Sequence, residues 1–117
     1  MRLVHESADG AAVIASNVET ADTLRRQGRG LMFRRSLPDD YALAFRFGSV
    51  RSRGIHTLFV LVPIDVVWVA DGEVSRVERL RPWRGLARAR ADLIVELPAG
   101  AADGVEAGDR LVLDDGA

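Results

Sequence analysis

The chain contains no cysteine and no lysine. Without thiols there is no disulfide, no thiol nucleophile, no thiolate zinc site and no iron–sulfur cluster. Without lysine there is no Schiff base and no amine nucleophile. All sixteen basic residues are arginine, a usage that fits a GC-rich genome. Histidine is scarce as well: His5 and His56 stand alone and far apart. No D-x-D-x-D-G loop offers a hard-cation site either, so no metal and no cofactor is expected. The net charge of −1 gives no field that would draw the whole chain to a polyanion. Residues 1–10, "MRLVHESADG", lack the apolar core and small-residue cleavage site of a secretion signal, and a cytoplasmic location is expected. The one long apolar run, 54–70, is broken by Pro63 and Asp65. An unpaired Asp near a bilayer centre costs about 3 kcal/mol or more, so the run reads as buried β-structure and no membrane is expected.

The 117 residues suit a single domain, 1–117, and a 48% hydrophobic fraction is enough for one real core. Residues 2–6 and 11–16 read as strands joined at Asp9-Gly10, a tight-turn pair. Thr20 fits as an N-cap and Gly28 or Gly30 as a stop, which predicts a helix over 21–28. "YALAFRF" at 41–47 alternates and reads as a strand, followed by a polar loop "GSVRSRG". The apolar run continues β-branched and aromatic, with Pro63 ending a segment, and "ADGE" at 70–73 is a turn into the partner strand "VSRVERL". "RPWRGLARARA" at 81–91 reads as irregular or briefly helical, "DLIVELP" as a strand, and "DRLVL" as a closing strand after Gly108. The fold class is mainly β (α+β). The expected form is a small antiparallel barrel-like or curled sheet of about seven to eight short strands, with one principal helix.

The segments "RGLMFR" (29–34), "LP" (37–38), "IHTLFVLVPIDVVWVADG" (55–72), "LRPW" (80–83), "VELPAGAA" (95–102) and "GDRL" (108–111), in this order, resemble the domain-of-unknown-function family 192. The resemblance covers roughly residues 10 to 114. It implies a compact β-rich fold with a helix after the first hairpin, and it implies no activity. Many bacterial members of this family carry a secretion or lipoprotein signal, which is not seen here. One branch has a Trp-Met-x-Asn-Thr stretch before Pro-x-Asp. Here that stretch is "HTLFV": His56 stands in the Trp position, and Phe59 and Val60 replace Asn and Thr. No role of those two polar residues carries over.

Three constellations are candidates for function. His56 and Asp65 are out of place in an apolar run, and a His–carboxylate pair is acid/base chemistry of a hydrolase kind. The competing account has Asp65 accepting loop amides or pairing with an arginine, as a buried carboxylate must. Ser49, Ser52 and Thr57 lie nearby, but none sits in a nucleophile-elbow pattern. Second, Arg29, Gly30, Met32 and Arg34 at a helix end offer bidentate donors for a carboxylate or phosphate. The alternative has residues 31–33 plugging the fold and Arg29 pairing with Asp65 or Asp40. Third, residues 76–90 interleave arginines with Trp83, a nucleic-acid composition without a nucleic-acid motif. The reading that joins these is a binding module rather than an enzyme. It takes a small anionic or polar ligand, or a protein partner, in a cleft of Arg29, Gly30, Met32, Arg34, His56 and Asp65. A purely protein-interacting domain would instead show an exposed apolar patch around Trp68 or Trp83.

Overall fold

A computed structural model describes residues 1–21 and 31–114. Eight strands form one sheet: β1 (Arg2–Ser7), β2 (Gly10–Ala15), β3 (Asn17–Thr20), β4 (Tyr41–His56), β5 (Ile64–Ala70), β6 (Glu73–Leu80), β7 (Leu86–Pro98) and β8 (Arg110–Asp114). Their order across the sheet is β2-β1-β8-β6-β5-β7-β4-β3. Among the described residues there is no helix, and the expected helix at 21–28 falls, apart from Ala21, outside them. The sheet is curled but not a closed barrel: β2 hydrogen-bonds only to β1 and β3 only to β4, and no described pairing joins those two ends. Nor is it wholly antiparallel. β3 runs parallel to β4, with Asn17 opposite Tyr41, in a stretch that the sequence presented as a helix cap.

The central strands are buried on both faces, which explains the apolar run. Tyr41, Leu43, Phe45, Val66, Trp68 and Ile94 point into one cluster, while Ala42, Ala44, Val67, Val69, Val95 and Leu97 point into another on the opposite face. Alternation along a strand separates the two sets. A strand covered on both sides needs apolar residues at every position, and β5 has them from Ile64 to Val69 except at Asp65.

Two segments expected as loops are strands. "GSVRSRG" continues β4, which runs to His56 with an irregular register between Arg46 and Arg51. "LARARA" opens β7 and pairs with it, Leu86 opposite His56. Alternating Arg and Ala is a strand with one solvated face, which sequence reading took for irregular chain. The β5–β6 hairpin turns at Asp71-Gly72, with φ of 52° and 82°, the left-handed pair that a type I′ turn demands.

Candidate functional site

Asp65 is an architectural residue. It is 2% exposed. Its Oδ1 accepts from Arg79 Nε at 2.9 Å, and its Oδ2 accepts the backbone N–H of Gly100 at 2.9 Å and of Ala102 at 3.0 Å. Arg79 also donates to Asp103 in the same loop. These two carboxylates raise the Arg79 pKa further above the ordinary arginine value. One carboxylate thus ties β5, β6 and the 99–104 loop together. Among the described residues the arginine that meets it is Arg79 on the neighbouring strand, and Arg34 of "RGLMFR" does not.

The structure does not bring His56 to Asp65. Register pairs His56 with Leu86 at the start of β7 and Asp65 with Leu97 near its end. The two register positions lie eleven residues apart along β7. No His–carboxylate dyad forms between them. His56 is exposed, and its Nδ1 accepts from the Leu58 N–H at 3.2 Å, capping the turn that follows β4. Of the other expected ligand-holding residues, Arg29 and Gly30 lie outside the described residues. Met32 packs against the core. Arg34 sits over the Tyr41 ring, 4.9 Å from its centroid, with Nη2 4.0 Å from Glu19 Oε2.

What lies beside His56 is an apolar face. Phe33, Phe59 and Trp83 are 57%, 44% and 47% exposed, unusual for aromatic side chains that also touch one another. The Phe33 and Phe59 ring centroids are 5.4 Å apart, and Phe59 meets Trp83 edge-on at 5.1 Å. Leu58, Leu61 and Leu86 are exposed with them. Each of the three aromatics has a left-handed backbone, φ 66°, 63° and 67°. Glycine adopts that conformation freely, whereas a bulky side chain there costs on the order of 1–2 kcal/mol. Three such residues gathered on one surface mark a place where local strain is held by the surrounding structure.

Thr57 does much of the holding. It is fully buried, donates its hydroxyl to Arg81 O at 2.6 Å and accepts the Gly85 N–H at 2.6 Å. Its carbonyl accepts from Val60 and Trp83, and Phe33 N–H donates to Phe59 O at 2.8 Å. Gly85 is required by this close approach: a Cβ there would stand 2.7 Å from Leu80 Cβ and 2.8 Å from Thr57 Oγ1. Three loops, 31–35, 57–63 and 81–85, are thereby locked into one surface. Thr57→Val keeps the shape and leaves the Gly85 N–H unpaired, a loss of about 2 kcal/mol. Amide exchange at Trp83 and Gly85 should accelerate well beyond that of the distant β1–β2 hairpin.

Two further polar residues were not singled out by the sequence. Glu96 on β7 is 4% exposed, and among the described residues none donates a hydrogen bond to it. Burial pushes its pKa up to about 7. Tyr41 lies on the same face, its hydroxyl buried and, among the described residues, without a hydrogen bond, and burial raises its pKa against the opposing pull of Arg34. The only signal for Glu96 was one acid inside the apolar "LIVELP". Among the described residues no group of His, Asp and Glu is arranged to hold a metal ion. No helix among them is long and apolar enough to cross a membrane.

This fold, with these segments in this order, has a match in a known family: the DUF192 family model covers residues 4–113. The chain belongs to the DUF192 family. That family is described as uncharacterized, so membership carries the fold and no activity. Two solved structures are similar. One, from Sinorhizobium meliloti 1021, described as a candidate transcription regulator, is 28% identical. It superposes with a TM-score of 0.85 over 95% of this chain and 91% of that one. The other, a protein of unknown function from Novosphingobium aromaticivorans, is 22% identical, with a TM-score of 0.84 over 97% and 84% of the two chains. No curated protein matches the chain. Neither description assigns a reaction to the aromatic face or to Glu96.

Proposed function

We propose that this DUF192 domain is a recognition module, not an enzyme, and that the Phe33–Phe59–Trp83 face is its contact surface for an acidic segment of a partner protein. The observation that carries this is the set of three exposed, left-handed aromatics supported by one buried threonine. Trp, Phe and Arg are residues that dominate binding energy at protein interfaces or are enriched there. The sign of the partner follows from charge. The segments 31–38, 54–64 and 80–91 carry six arginines (Arg34, Arg35, Arg81, Arg84, Arg88 and Arg90) and no acidic residue. In a chain of net charge −1 that is a local excess of positive charge. The leucines decide between protein and nucleic acid. Single-stranded nucleic acid uses ring faces for stacking, and Leu58, Leu61 and Leu86 have no part in stacking but bury well against apolar side chains. A cytoplasmic setting belongs to the same reading, since a cysteine-free chain is at home there.

The description of the Sinorhizobium relative as a regulator makes nucleic acid the competing occupant. Trp83 fluorescence separates the two. A synthetic peptide alternating Glu with Leu and Trp-free apolar residues should shift Trp83 emission saturably, more weakly as salt rises. Phe59→Ser should reduce the affinity at least tenfold with the fold retained by circular dichroism. Tighter binding of a thymidine oligonucleotide than of the peptide would overturn the protein reading. No saturable shift with the peptide would overturn the site.

A further inference from the structure

An open cavity of about 350 Å³, lined by no residue of the aromatic face, lies where β8 parts from its neighbours. β8 pairs with β1 along its whole length but meets β6 at a single pair, Glu73 with Arg110. β4 loses register with β7 just beyond Arg46. The two departures leave a gap in an otherwise continuous sheet. Leu93 and Leu113, both half-buried on one face of the sheet, supply apolar walls. Arg46 and Arg110, both exposed, supply positive charge, and Asp92 is the single acid of the lining.

We propose that this cavity binds an amphipathic monocarboxylate, its apolar body between Leu93 and Leu113 and its carboxylate between Arg46 and Arg110. The volume falls within the range of small-molecule sites, about 300–1,000 Å³, and the walls of this open groove mix polar and apolar surface, as an amphipathic ligand requires. Arg46 makes no hydrogen bond or ion pair among the described residues, so its guanidinium is available. Arg110 is held only loosely, its Nε 3.9 Å from Glu6 Oε2. Asp92 is turned toward the β5–β6 hairpin, where it accepts the Asp71 N–H at 3.3 Å, and so competes little for either arginine. The backbone adds a donor. Leu111 gives its N–H to Gly72 O, away from β1. Alternation along an antiparallel strand turns the Leu113 N–H to that same edge, where no described strand pairs with it. Two guanidinium groups and a backbone amide around an apolar slot match a carboxylate carried on a hydrocarbon body.

Octanoate is a suitable probe, followed by amide chemical shifts in the intact chain. Saturable shifts at Leu93, Leu111 and Leu113, with none at Phe59 or Trp83, are expected. Arg46→Gln and Arg110→Gln, both at exposed positions, should each weaken binding about tenfold while leaving the melting temperature within a few degrees. Octanol should bind at least tenfold more weakly, and inorganic phosphate should give no shift at these residues. Equal affinity for octanol would overturn the anion site, and octanoate affinity unchanged in both arginine variants would overturn their role. Absence of saturable shifts would overturn the cavity as a binding site.

Discussion

Asp65→Ala is expected to lower the melting temperature by roughly 10–15 °C. The side chain accepts two backbone amides of the 99–104 loop on one oxygen and the guanidinium of Arg79, on the neighbouring strand, on the other. Removing it strands the Gly100 and Ala102 N–H groups, the second of them fully buried. Leaving a buried donor unpaired costs about 1–3 kcal/mol, so two such groups lose about 3 kcal/mol together. For a domain of this size 1 kcal/mol moves the midpoint by about 4 °C. Asp65→Asn should be milder, because its one oxygen still accepts both amides and only the Arg79 bond is lost. Differential scanning calorimetry of the two variants checks the order. A thermally neutral Asp65→Ala would mean that the loop is held by other contacts and would reopen a chemical role for the carboxylate.

Glu96 governs the second large effect, and its sign is opposite to that of a salt-bridged acid. Its ordinary value of 4.5 is the unfolded reference, and burial raises the folded value to about 7. Below pH 4.5 both states hold the proton. Between 4.5 and 7 the folded state alone keeps it, so the unfolded state is increasingly favoured as pH rises. Above about pH 7 the folded protein carries a buried, unpartnered charge. The difference amounts to about 3 kcal/mol lost across that window. Glu96→Gln removes the titration and keeps the shape. It should therefore match the parent near pH 4.5 and exceed it in stability by about 3 kcal/mol at pH 8. Urea unfolding at the two pH values decides this. A parent whose stability is level from pH 4.5 to 8 would show that Glu96 finds a partner in solution. A carboxylate this costly, on the same face as a Tyr41 hydroxyl that has no hydrogen bond among the described residues, distinguishes this face of the sheet from ordinary core.

The aromatic face had only part of its signature in the sequence. Trp83 stood out by composition. Phe33 and Phe59 did not, because each sits among apolar neighbours, and exposure is not written in residue type. The left-handed backbones of Phe59 and Trp83 sit in turns tied to Thr57, whose hydroxyl holds Gly85, 28 residues away in sequence, and Phe33 is tied in turn to Phe59 O. Thr57 itself passed only as a nearby hydroxyl, since hydrogen-bond partners distant along the chain leave no local pattern.

The sequence by itself determined the absence of thiol and amine chemistry, the β class, the family, the Asp71-Gly72 hairpin and the core character of the long apolar run. These rest on composition and on period-two patterning or turn chemistry, which act within a few residues. The tertiary structure alone decided that Asp65 answers to Arg79 and to two loop amides, that His56 stands at the far end of β7 from it, and that β8 parts from its neighbours to leave a cavity. Each of these depends on strand order and register. Strand pairing joins residues far apart in the chain, and nothing local in a residue's surroundings specifies which strand it will lie against.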